Sequence, residues 1–370
     1  MFVVATFNRV DHSIRNVILW CDVASLISGI LFFSAAKCLQ KIAPSIGKRH
    51  EKQLLAAFKQ QSKQKPLSIY SNLSYLDSLD QRIEVNSYTV NDHLVSVAYS
   101  KGEKSSPISI NEDRYICQTL TLKNDLDIGL CGIFDGHGGP TIAEFLRQTL
   151  PKYIIEELNR SHILTIEVTD RALRRVFLKL EKEIESKNFL DCGSTATVAL
   201  FFNKQLVIAH LGDSRAIWIS ADGETLQLTA DMDITKKEAK KVKKLGGIVY
   251  ENRIFSYQEN GQPTGKGINI SGSFGDLNLL GKPNIHGHKP YLINKTPAIT
   301  SYPLKKGYLL LASDGLFHTI NKKNEISTCQ TGQMIASFGP IPIDQMAKQL
   351  IHLARNAQST DDITCLIVKI

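Results

Sequence analysis

Cysteine is sparse in this 370-residue chain: seven residues, at 21, 38, 117, 131, 192, 329 and 365, odd in number and with no Cys-x-x-Cys spacing. That pattern argues against a disulfide framework and against a zinc site, and it favours a reducing compartment for the folded part. Cys131 and Cys365 fall in apolar, strand-like runs and read as small buried hydrophobes. A nucleotide-binding glycine loop is also missing, since Gly261-Gln262-Pro263-Thr264-Gly265-Lys266-Gly267 is one residue short between its glycines and ends on Gly267 where a hydroxyl is required. Aromatic residues make up only 8% of the chain, and none alternates with the lysines of residues 234–247, so no nucleic-acid partner is expected. Long apolar runs are missing too, with one exception at residues 17–36.

That exception is twenty residues long with Asp22 as its single charge, about the length that crosses a bilayer. Trp20 and Asp22 lie near one end, at interfacial depth. Beyond it, Lys37, Lys41, Lys48, Arg49, Lys52, Lys59, Lys63 and Lys65 face only Glu51. The positive-inside tendency then puts the C-terminal part of the chain on the cytoplasmic side. Membrane association with that part in the cytoplasm is therefore the expectation; a soluble cytoplasmic chain and a cleaved signal ending at Ser34-Ala35-Ala36 are the alternatives. Residues 41–66 read as a basic amphipathic helix with Leu54, Leu55 and Phe58 on one face. Residues 1–80 hold ten basic against five acidic residues and supply most of the net charge of +8. The chain divides into this extension and one globular domain over residues 85–370, with 43% hydrophobic residues overall.

Within the domain, residues 196–219 give three β-rich runs broken by Asn203-Lys204 and Asp213-Ser214, which predicts an antiparallel meander. Helical spacing predicts one helix capped by Thr141 and running to about Leu150, with Ile142, Phe145 and Leu146 inward. A second starts near Asp170 and buries Leu173, Val176, Phe177, Leu180 and Ile184; a third starts at Asp344 and buries Met346, Leu350, Leu353 and Ala357. The class is α/β layers with a largely antiparallel sheet.

Chemistry concentrates in Gly132-Ile133-Phe134-Asp135-Gly136-His137-Gly138-Gly139, where an apolar strand ends on a carboxylate followed by an imidazole on bare glycine backbone. Further acidic groups stand at Glu112-Asp113, Gly212-Asp213-Ser214-Arg215, Ser273-Phe274-Gly275-Asp276, Ser313-Asp314-Gly315 and Asp361-Asp362. Three of the carboxylates, Asp135, Asp213 and Asp314, come after apolar runs at 128–134, 206–211 and 308–312, and Asp361 precedes one at 363–370. Carboxylates brought together at strand ends repel unless a cation sits among them, and donors that are all oxygen favour Mg²⁺ or Mn²⁺.

In this order, with Gly193-Ser194-Thr195 added, the elements resemble the metal-dependent Ser/Thr protein phosphatases of the type 2C family over residues 94–370. The resemblance implies two stacked antiparallel β-sheets flanked by helices on both outer faces, and a monomer acting on phosphorylated proteins. It implies two metal ions, bridged by Asp135, with the Gly136 carbonyl on one and Asp314 and Asp361 on the other. Glu112 and Asp113 would hold metal-bound waters, and Asp213 would share a weaker third ion with Asp314. A metal-bridging water would attack while His137 protonates the leaving oxygen, with Thr195, Arg215 and Asp276 in support. Three positions depart from the family pattern: Ile108 stands where an Arg usually holds the substrate phosphate, leaving Lys101 or Lys104 to serve; Gly272 replaces another Arg; His318 replaces an acidic residue. A catalytically weak or silent phosphoprotein-binding module is the alternative function, and hydrolysis of a small phosphorylated molecule a third. Lys236, Lys237, Lys240, Lys241, Lys243 and Lys244 form either a solvated helix face or a surface that recruits acidic phosphoproteins or an anionic membrane.

Overall fold

The computed structural model describes residues 83–102, 110–256, 262–263, 267–318, 326–339 and 341–370. The apolar run 17–36, the basic stretch 41–66, Lys104 and Ile108 lie outside those residues. Among the described residues no helix is long and apolar enough to cross a membrane.

Strand alternation sets the layers. In β3 (Arg114–Thr121) and the more apolar β4 (Asp127–Phe134), every second residue turns to the same face. Ile128, Leu130 and Phe134 join one core while Cys131 and Ile133 join another. β4 pairs with β7 (Ala196–Phe202), β7 with β8 (Gln205–Leu211), and β8 with β14 (Ala298–Pro303), giving a five-stranded antiparallel sheet in the order β14-β8-β7-β4-β3. A second, six-stranded antiparallel sheet is built from β1 (Ile83–Val90), β2 (His93–Ser100), β9 (Arg215–Ile219), β10 (Thr225–Gln227), β15 (Tyr308–Ala312) and β16 (Ile363–Lys369). Its order is β1-β2-β16-β15-β9-β10.

The two sheets stack through Val95, Val97, Leu309, Leu311, Leu366 and Val368 of one against Cys131, Ile133, Ala199, Phe201 and Ile208 of the other. α1 (Thr141–Leu158) and α2 (Ile166–Lys187) cover the outer face of the five-stranded sheet. α4 (Thr328–Ser337) and α5 (Ile343–Asn356) cover that of the six-stranded sheet. Two stacked antiparallel sheets with helices on both outer faces is thus the observed fold. Between β10 and β14 the chain leaves the sandwich to build a small unit around Val242, Ile254, Leu279, Leu292 and Ile293. It contains α3 (Lys236–Lys244) and the hairpin β11 (Ile248–Tyr250) and β12 (Arg253–Phe255).

Four local expectations are corrected. The run 215–219 does not continue a meander: β8 ends at Leu211, the chain crosses through Gly212-Asp213-Ser214, and β9 pairs with β15 in the opposite sheet. Hydrophobic period cannot tell which sheet a strand joins. α1 is capped by Pro140 rather than Thr141 and passes through Pro151 to Leu158. Burial of Leu150, Ile154 and Leu158 on the sheet outweighs the lost amide and ring clash of a mid-helix proline. α2 starts at Ile166, where Thr165 accepts from the Val168 amide at 3.2 Å, because the cap precedes the first buried turn. In α5, Leu353 and the residue after the helix, Ala357, are only half-buried.

Candidate active site

Antiparallel register brings the acidic residues together. Arg114 opposes Phe134, so the start of β3 and the end of β4 share one edge of their sheet, as do the start of β7 and the end of β8. Ala312 opposes both Arg215 and Cys365, which gathers the end of β15 and the starts of β9 and β16 at one edge of the other. The result is a cleft of about 870 Å³ whose walls include Glu112, Asp135, His137, Asp213, Asp314 and Asp361.

Burial raises the pKa of Asp135 well above the ordinary carboxylate range, and the charges of Asp113, Asp314, Asp213 and Asp361 raise it further. Burial, with the Asp314 charge next, lifts Asp213 to about 8. Asp113 rises to about 7, chiefly through burial. Ser313 Oγ donates to Asp113 Oδ2 at 2.8 Å, while Asp113 Oδ1 finds no hydrogen bond of good geometry. Oxygen donors that are buried, mutually repelling and partly unsatisfied fit a hard divalent cation. Asp213, Asp314 and His318 also bring one ligand atom each within 4.8 Å of one another. His318 thus stands at this acidic group, its Nδ1 3.3 Å from Asp314 Oδ2.

Backbone contacts hold the set in place. Thr195 N donates to the Asp135 carbonyl at 2.8 Å, and the Asp135 amide donates to Thr195 Oγ1 at 3.2 Å. Gly136, in the two-residue strand β5 (Gly136–His137), passes so close to the backbone of Glu112 that a Cβ would sit 2.5 Å from its carbonyl oxygen. Glu112 Oε1 accepts from the Gly139 amide at 2.6 Å.

His137 Nε2 lies 2.9 Å from Asp276 Oδ2 and 3.0 Å from Oδ1. Burial alone would lower the His137 pKa, but the Asp276 charge and hydrogen bond overrule it and raise it above the ordinary histidine value. Gly193 makes room for this pair, because a Cβ there would fall 2.4 Å from Asp276 Oδ2 and 2.5 Å from His137 Nε2. Asp276 is positioned in turn by the Ser273 hydroxyl and by a buried ion pair, Lys295 Nζ to Glu181 Oε1 at 2.9 Å. Lys295 also donates to the Gly275 carbonyl, and the Gly275 amide donates to Glu181 Oε2 at 3.2 Å. Burial keeps Glu181 above the ordinary carboxylate range even with Lys295 beside it, as expected where desolvation exceeds Coulombic gain. Lys295→Met should therefore lower stability by about 3–5 kcal/mol by stranding Glu181, and adding Glu181→Gln should recover much of it. Denaturant midpoints of the three proteins check this; an additive double mutant would show that the pair does not act as a unit.

Arg215 pairs with Asp231, Nη2 to Oδ2 at 2.6 Å, and its guanidinium stacks on Phe317. Lys101 does not line the cleft; its carbonyl accepts from Arg355 at 2.9 Å. Sequence reasoning missed Arg253, Asp191 and Asn278, which line the cleft from loops and a short strand with no motif around them. It named Asp362 in an acidic group but gave it no role; its two oxygens accept from the amides of Gly102 and Glu112, both at 2.7 Å, and so tie together the two ends of segment 102–112. A second acidic residue after Asp361 was the only signal.

The family model for protein phosphatase 2C matches residues 101–363. A probable protein phosphatase 2C 55 of Oryza sativa subsp. japonica is 30% identical over 285 residues, covering 75% of this chain and 66% of that protein. A probable mitochondrial protein phosphatase 2C member 13 of the same plant is 29% identical, covering 65% and 60%. The chain thus spans about two thirds or less of the length of these relatives. Among solved structures, the serine-threonine phosphatase 2C of Toxoplasma gondii superposes with a TM-score of 0.59 at 20% identity, over 78% of this chain and 98% of that one. A C. elegans sex determining protein gives 0.54 at 20% identity, over 78% and 64%. The structures speak for the fold; the family model, extending over most of the domain that carries the acidic cleft, places this chain in the protein phosphatase 2C family.

Proposed function

We propose that the chain is a metal-dependent phosphatase acting on phosphoserine and phosphothreonine in proteins. The observation that carries this reading is the meeting of Asp135, Asp314 and Asp361 from three strand ends beside the His137–Asp276 pair in one cleft. Asp135, the Gly136 carbonyl, Asp314 and Asp361 would hold two divalent cations, Mg²⁺ or Mn²⁺, with Glu112 and Asp113 orienting their waters; Asp213, Asp314 and His318 would take a third. Cations there would neutralise the phosphate oxygens and lower the pKa of water, the two obstacles to phosphomonoester hydrolysis. Asp276 holds the His137 ring and favours its protonated form. With Nε2 committed to Asp276, Nδ1 delivers the proton to the departing seryl or threonyl oxygen. Thr195 fixes the Asp135 backbone, and Arg215 acts at a remove, through Asp231.

The test is release of phosphate from a phosphothreonine peptide by the full chain, with Mn²⁺ or Mg²⁺ and with excess chelator. Turnover with either cation and none in chelator is expected. Tight peptide binding without turnover under any cation would replace this reading with the silent phosphoprotein-binding module.

A further inference from the structure

Six of the nine residues of α3 are lysine, all six exposed or half-exposed, and none is ion-paired among the described residues. Such a helix is poorly arranged for its own stability. Lys236 and Lys240, Lys237 and Lys241, and Lys240 and Lys244 stand four apart, where like charges repel. Lys236 and Lys237 lie in the first turn, at the positive end of the helix dipole. Only Val242 is buried, so burial returns little. Residues 234–256 hold seven cations against Glu238 and Glu251.

Location gives this charge a use. Val242 of α3 and Ile254 of β12 share one small core, and Arg253, beside Ile254, lines the catalytic cleft with Nη1 donating to the Gly267 carbonyl at 2.9 Å. The basic helix and one cleft wall therefore belong to one packed unit. The cleft itself is lined by seven carboxylates, Asp191 among them, and Arg253 is the one Lys or Arg among its described lining residues. Cations would neutralise its centre, but acidic residues flanking a phosphorylated side chain would still be repelled at the rim and drawn outward to α3.

We propose that α3 is a docking surface for an acidic polypeptide stretch next to the phosphorylated residue, so that the enzyme selects phosphoproteins with Asp- and Glu-rich flanks. This rests on the phosphatase reading above. A polypeptide is favoured over a membrane surface because α3 shares its small core with β12, whose Arg253 lines the cleft, so the lysines belong to the same unit as one cleft wall.

The test compares the full-length protein with a variant carrying Lys→Gln at 236, 237, 240 and 241, glutamine keeping helix propensity, and with the charge-conserving Lys→Arg variant at the same positions. Substrates are a phosphothreonine peptide with acidic flanks, the same peptide with those acids replaced by Gln, and a small aryl phosphate. Wild type and the Arg variant should show a KM about tenfold lower for the acidic peptide, an advantage that shrinks as salt shortens the Debye length to about 3 Å near 1 M. The Gln variant should lose that advantage with aryl phosphate turnover unchanged. An undiminished preference in the Gln variant, or none in wild type, overturns the proposal. Binding of the dephosphorylated acidic peptide, read by fluorescence anisotropy, separates the two readings. Lysine-dependent binding without turnover of any phosphopeptide upholds the docking surface and sinks the phosphatase reading; turnover with no lysine dependence does the reverse. Lysine-dependent binding to phosphatidylserine vesicles, with peptide kinetics unaffected, overturns the proposal in favour of a membrane surface.

Discussion

Asp135→Asn and Asp314→Asn should each lower metal-dependent phosphatase activity by about 10³-fold or more while the domain stays folded. On the proposed mechanism, cations held here would supply several kcal/mol of charge stabilisation, and each 1.36 kcal/mol is tenfold in rate. Asn keeps the shape but offers a neutral oxygen in place of a charged ligand. Excess chelator should reproduce the loss in the unsubstituted protein. Unchanged turnover in either variant, or full activity in chelator, would end the metal mechanism.

The Asp135 substitution should act on stability in the opposite direction. Without metal, burial and neighbouring charge raise the folded-state pKa of Asp113 to about 7, of Asp213 to about 8 and of Asp135 well above its ordinary value. In the unfolded chain these groups titrate near about 3.9. A folded pKa above the unfolded one means that the native state binds more protons between the two values, so stability falls as pH rises. The contribution is fully present below about pH 4 and is lost on the way to pH 7–8. Chelated protein should therefore melt at lower temperature at pH 8 than at pH 5, by more than the Mn²⁺-loaded protein does. Asp135→Asn removes one such carboxylate, so in chelator it should melt at or above the parent at pH 8. A flat melting profile in chelator across this range would show that the carboxylates do not strain the fold.

The sequence displayed much of this architecture because its signals were local. Apolar runs at 128–134 and 308–312 marked strands, and each was followed by a carboxylate where the strand ends. In an antiparallel sheet the end of one strand lies beside the start of its neighbour, so Asp314 after β15 and Asp361 before β16 share an edge. The meeting of these two with Asp135 and Asp213 of the other sheet depends on how the sheets stack, which no local signal displays. The features that stayed hidden depend on partners far apart in the chain. Nothing near Arg215 says that its partner is Asp231, or that β9 crosses to the other sheet once past Gly212. The Glu181–Lys295 pair joins residues more than a hundred positions apart, with no periodicity at Lys295 to mark it. Asp362 acts through two backbone amides, which leave no trace in side-chain pattern. Arg253 enters the cleft from a three-residue strand too short to carry a period.

His137→Ala carries the second large effect, and its size should depend on the leaving group. An alkyl phosphate such as phosphothreonine expels a strongly basic alkoxide and needs a proton in the transition state, so the loss should be about 10²-fold or more. An activated aryl phosphate leaves as a stable phenolate and should lose far less. The contrast separates proton donation from mere positioning, which would lower both rates alike. Asp276→Asn supplies the complementary readout. The ring is now raised above the ordinary histidine value because the Asp276 charge and hydrogen bond outweigh burial, and a neutral amide removes the charge while keeping a hydrogen-bonding group. Protonated His137 should then be lost at lower pH, so the alkaline limb of kcat for the phosphopeptide should move down in pH while the aryl phosphate profile stays nearly still. Equal displacement of both profiles would assign Asp276 and His137 to holding substrate or metal ligands in place, and the proton would have to come from another group in the cleft.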